Sequence, residues 1–156
     1  MCGHVLIIED EILIAFVLED ELRDLGFTSF DFAVSAEEAL ASAQLRKPDL
    51  ITVDYRINGG TGVEALERLD RELGALPAIF VTANPELIAG DRAPVVGKPL
   101  RPRALAGACR EATSIARSRR GDAARDRHAR PYTAGNRLKR DDPARQDTLS
   151  TDRYQL

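Results

Sequence analysis

Short apolar runs alternate with helical periodicities along most of the chain. Residues 5–8 are continuously apolar and read as a buried strand, with Glu9, Asp10 and Glu11 directly after it. Residues 12–25 carry a helical pattern closed by Gly26. Residues 28–33 alternate and read as a second strand. Ser35 and Glu38 spell a capping box that opens a second helix through Ala39, Leu40 and Ala43. Residues 50–53 form a third strand ending at Asp54. Gly59, Gly60 and Gly62 make a flexible loop, after which Thr61 and Glu64 cap a helix with Leu66, Leu69 and Leu73 on one stripe. A fourth strand over 78–81 leads to Thr82, and a fifth over 95–97 leads to Lys98. The last helix is predicted from about 102 to about 118, with Leu105, Ala108, Cys109, Ala112, Ile115 and Ala116 as its apolar stripe.

Strands that alternate with helices predict a parallel sheet with helices on both faces. Such sheets bind ligands beyond the carboxyl ends of their strands. Those ends here deliver Glu9, Asp10, Asp54, Thr82 and Lys98. Taken singly, each has an ordinary explanation: a solvated acid, a helix cap, a loop lysine. Taken together they suggest chemistry. Three converging carboxylates repel one another, and without a counter-charge one of them would have to protonate. A hard divalent cation such as Mg2+ resolves this with oxygen ligands. A lysine and a hydroxyl opposite the metal would complete the neutralisation of a transferring phosphoryl group while Asp54 attacks in line.

Charge adds a second feature. Residues 117–156 hold eleven of the 22 basic residues and only six of the 25 acidic ones, so the remainder of the chain is strongly acidic. This tail has no hydrophobic periodicity, and a basic, disordered segment is expected over 119–156 after a domain over 1–118. No apolar run is long enough to span a bilayer, and the first residues do not resemble a secretory signal. Cys2 and Cys109 have no metal-ligand spacing, and two free thiols in a reducing cytoplasm are expected.

The motifs IIEDE, ITVDY, FVTA and GKPL, at the first, third, fourth and fifth strands, resemble the receiver domain of bacterial two-component response regulators over about residues 3–118. That resemblance implies a flavodoxin-like doubly wound fold, with a five-stranded parallel sheet in the order 2-1-3-4-5. It implies that Asp54 is the phosphoacceptor. Asp10, Asp54 and the backbone carbonyl of Arg56 would bind Mg2+, for which Mn2+ could substitute, and Glu9 would hold the metal through water. Thr82 and Lys98 would grip the phosphoryl oxygens, and Ala83 would leave the acceptor accessible. Arg56 and Asn84 would occupy rate-tuning positions. A cis Lys98–Pro99 bond is also implied. The phosphoryl donor would be a histidine kinase or a histidine phosphotransfer protein.

Thr82 and Lys98 are only 16 residues apart, fewer than most receivers use, so the fourth helix should shrink to about one turn. Val95 stands where receivers usually carry an aromatic residue. The ANPELIAG stretch is similar to receivers of general-stress regulators and to stand-alone alphaproteobacterial-type receivers. On the first helix, Ile14, Ala15, Leu18, Leu22 and Leu25 should face the sheet. Ile12, Leu13, Phe16 and Val17 fall largely on the other side, where Leu13, Phe16 and Val17 could extend the core, form a dimer seam or dock the phosphodonor.

The forty mostly polar residues over 117–156 cannot make a DNA-binding domain, so a stand-alone regulator signalling to another protein is expected, outside the membrane and without nucleic acid. Two other readings compete. A phosphohydrolase that turns over outside substrates would need an acid two residues after its nucleophile, where Arg56 stands. A nucleic-acid binder using the tail would be weakened by Asp122, Asp126, Asp141, Asp142 and Asp147, which interleave with the basic residues.

Overall fold

Period-two burial along each central strand supplies the two faces of the sheet. In β1 (His4–Ile8), Leu6 and Ile8 face one side while Val5 and Ile7 face the other, and all four are essentially inaccessible to solvent. This computed structural model describes residues 3–129. Its remaining elements are α1 (Ile12–Asp24), β2 (Ser29–Ala33), α2 (Ala36–Leu45), β3 (Leu50–Val53), β4 (Arg56–Ile57) and β5 (Gly60–Thr61). These are followed by α3 (Gly62–Leu73), β6 (Ala78–Thr82), a 3-10 turn (Pro85–Leu87), β7 (Val95–Gly97) and α4 (Ala104–Ala129). The main sheet is parallel throughout, in the order β2-β1-β3-β6-β7. This is the flavodoxin-like 2-1-3-4-5 order, with the small ribbon β4–β5 lying outside the sheet.

Leu6, Ile8, Ile51, Val53 and Phe80 pack against Ala39, Ala43, Leu66 and Leu69 of α2 and α3. Val5, Ile7, Ile79 and Val81 pack against Ala15, Leu18 and Leu22 of α1 and against Leu105, Ala108 and Ala112 of α4. Each face thus buries a helix pair, which is how an α/β sheet removes both its apolar sides from water.

Capping fixes where the helices begin. Thr61 and Glu64 form a reciprocal capping box at the start of α3. At α2 the Ser35 hydroxyl accepts from the Glu38 N–H at 3.2 Å, but the Glu38 carboxylate reaches one residue further back, to the Val34 N–H at 3.1 Å. The segment after β6 holds only one 3-10 turn, as the short spacing to Lys98 requires. The Lys98–Pro99 peptide is cis.

Two elements differ from the sequence reading. The glycine-rich loop contains the antiparallel ribbon β4–β5, in which Arg56 pairs with Thr61 and Ile57 with Gly60. Two-residue strands are too short to show periodicity. The last helix passes its expected end near 118 and runs to Ala129. Periodicity reports burial, and residues 120–127 are exposed, so this extension rests on the helix propensity of Arg and Ala, not on an apolar face. The rest of the expected tail, from 130 onward, and Cys2 lie outside the described residues. Among the described residues no helix is long and apolar enough to cross a membrane.

Candidate functional site

Glu9, Asp10, Asp54, Thr82 and Lys98 all stand at or just beyond the carboxyl ends of β1, β3, β6 and β7, so the parallel sheet delivers them to one edge. One carboxylate oxygen from each of Glu9, Asp10, Glu11 and Asp54 lies within 4.8 Å of the others. Glu9 and Asp54 are buried, while Asp10 and Glu11 face solvent. Glu11 joins this group without having been assigned a role from the sequence. The signal for it was present, as the third consecutive acid after the first strand.

Lys98 supplies the counter-charge. Its Nζ donates to Glu9 Oε2 at 2.7 Å and to Asp54 Oδ2 at 2.8 Å. Burial works against the lysine's charge, but the two carboxylates outweigh it and hold the ammonium above its ordinary value. Burial pushes the Glu9 carboxyl above its ordinary value, against the opposing pull of the Lys98 ammonium and the Glu11 N–H. The nearby Asp54 charge adds to this rise.

Asp54 is held from below as well. The Tyr55 N–H donates to Asp54 Oδ1 at 2.6 Å, which leaves Oδ2 directed at Lys98. Gly62 opens α3 directly against the backbone of Asp54. A Cβ there would collide with the Asp54 carbonyl oxygen and the Val53 side chain, so only glycine lets the helix start so close. The sequence reading saw Gly62 only as loop flexibility. Thr82 is buried, and its Oγ1 accepts from the Asn84 N–H at 3.2 Å, which leaves its hydroxyl proton available to a ligand. Ala83 is exposed at the mouth of the site, as is Arg56 on the ribbon.

Beside this edge, α1 carries an apolar surface. Ile12, Leu13, Phe16 and Val17 are 67%, 75%, 52% and 46% exposed, so they do not extend the core. Phe16 meets Phe32 of β2 edge-on, with ring centroids 6.4 Å apart.

The doubly wound sheet and the acid–lysine–threonine edge define a receiver, and residues 5–105 match the response regulator receiver domain. The chain belongs to that family, whose members are phosphoacceptor signalling modules of two-component systems. It is 36% identical over 108 residues to the phyllosphere-induced regulator PhyR of Methylorubrum extorquens. That match covers 65% of this chain and 40% of the regulator, so the chain spans about two fifths of its relative's length. The solution structure of the receiver domain of PhyR from Erythrobacter litoralis is 36% identical with a TM-score of 0.60, covering 71% of this chain and 89% of that one. A mutant of the anti-anti-sigma factor PhyR from Bartonella quintana is 28% identical with a TM-score of 0.62, covering 76% of this chain and 50% of that one. These relatives agree with the likeness to general-stress regulators read from ANPELIAG.

Proposed function

We propose that Asp54 accepts a phosphoryl group from a phosphohistidine, carried by a histidine kinase or a phosphotransfer protein, and that the resulting change is read by another protein in the cytoplasm. The observation that carries this reading is the Lys98 ammonium held between Glu9 and Asp54 at the edge of a four-carboxylate cluster. A cluster of hard oxygen donors with two solvent-facing members suits Mg2+, which keeps several of its waters. Asp10, Asp54 and the Arg56 carbonyl would hold it directly, and Glu9 through water. When bound it would neutralise carboxylate and phosphoryl charge.

The rest of the chemistry belongs to the chain. Asp54 Oδ2 attacks phosphorus in line. The P–N bond of the phosphohistidine breaks, its electron pair stays on the imidazole, and an aspartyl phosphate forms. Lys98 transfers its hydrogen bond from Asp54 to a phosphoryl oxygen, and the Thr82 hydroxyl donates to another. Ala83 leaves the acceptor open to the donor, while Arg56 and Asn84 border the path of a hydrolytic water and set its rate. Water attack on the same phosphorus restores Asp54, so the chain promotes only its own phosphorylation and dephosphorylation. Leu13, Phe16 and Val17, beside Asp10, form the apolar surface on which the donor docks.

The test is uptake from a small donor. With Mg2+ the purified chain should be phosphorylated by acetyl phosphate; with a chelator, or as Asp54→Asn, it should not. Equal uptake by the asparagine variant would reject the reading.

A further inference from the structure

The opposite end of the molecule carries a second surface. A groove of about 710 Å3 opens where β1, β3 and β6 begin, far from Asp54 at the strand ends. Its walls are apolar: Leu25, Phe27, Leu50, Pro77 and Ala106, with Cys109 beside them. Arg110 and Arg117 of α4 border it, and both are exposed. Its one carboxylate, Asp49, already accepts from the His4 N–H at 2.8 Å.

The basic edge continues beyond the groove. Helical residues are spaced by about 100°, so Arg110, Arg117, Arg120 and Arg127 fall within roughly one quarter to one third of the circumference of α4, and Asp122 and Asp126 fall on the opposite side. Charges that interleave in the sequence are therefore segregated in space. Among the described residues none of these four guanidiniums has an ion-pair partner, whereas Arg119 and Arg92 pair with Asp70, and Arg23 with Glu19. The ladder is about 26 Å long, the length of a helix of about 18 residues.

We propose that this groove and arginine ladder dock an acidic amphipathic helix of a partner protein. Its apolar residues would fill the groove and its carboxylates would line up on Arg110, Arg117, Arg120 and Arg127. The apolar walls favour such a helix over a nucleic acid, because the one aromatic side chain lining the groove, Phe27, is 9% exposed and offers no stacking face to a base. The site lies at the opposite end of the sheet from Asp54, where β1, β3 and β6 begin.

The test uses the full chain and three synthetic helices: one with a leucine stripe and a glutamate face, one with the same stripe and a lysine face, and one with glutamates but no leucines. Fluorescence anisotropy should show binding of the first alone, weakened by salt. Arg110→Glu with Arg117→Glu, both at exposed positions, should weaken it by about tenfold or more. Cys109→Phe, which narrows the groove without changing charge, should weaken it independently. Absence of binding, equal binding by the charge-reversed chain, or preferential binding of duplex DNA or single-stranded RNA would each overturn the proposal.

Discussion

Burial governs the chemistry of Cys109. Its thiol is pushed up to about 11, with Arg110 pulling weakly the other way. Alkylation proceeds through the thiolate, so at about pH 8 iodoacetamide should react with Cys109 in a Cys2→Ser chain far more slowly than with free cysteine. The rate should keep climbing to about pH 11. A rate that levels off near the ordinary value of 9.0 would show that burial does not control this thiol. At this scale the sequence exposed the acids, Thr82 and Lys98, because each ends a strand. It did not expose the Lys98–Glu9 ion pair, whose formation depends on how far a flexible side chain reaches. Nor did it expose the packing of Gly62 on Asp54, since a glycine in a glycine-rich stretch looks the same whether it bends or makes room.

Among the elements, α3 holds two others through one residue. Asp70 accepts from Arg92 Nε and Nη2 at 2.8 and 2.6 Å, and from Arg119 Nη1 at 2.8 Å. This ties the segment after β6 and the body of α4 to α3. The Arg92 fork is mostly buried and should carry most of the energy, while Arg119, 39% exposed, is screened by solvent. Asp70→Asn should cost roughly 1–3 kcal/mol, measured by denaturant unfolding. The switch that phosphorylation of Asp54 would throw is expected in the same segment. Val95 in β7 is smaller than the aromatic residue receivers usually carry there, so the motion should pass through residues 83–94. Hydrogen exchange with and without a phosphoryl analogue should change most between 83 and 98, and Asp70→Asn should lower protection there in the resting chain. A change centred on α1 or α2 would contradict this. The shortened fourth helix was legible from the Thr82–Lys98 spacing set against that of other receivers. The ribbon β4–β5 and the end of α4 were not, because neither buries an apolar stripe.

For the whole molecule, alternating elements predict a parallel sheet, but they do not order its strands. The order came from resemblance, carried by four motifs at four strand ends, and the observed sheet has it. On this reading the strand ends would handle phosphoryl chemistry, and the opposite end, with its arginine ladder, would hold an acidic partner. The proposed function rests on the position of the phosphoryl group. After reaction with acetyl phosphate and Mg2+, borohydride reduction converts an aspartyl phosphate to homoserine, which peptide mass spectrometry can locate. Homoserine is expected at position 54 and at no other aspartate. Homoserine at another position, with Asp54 unchanged, would contradict it.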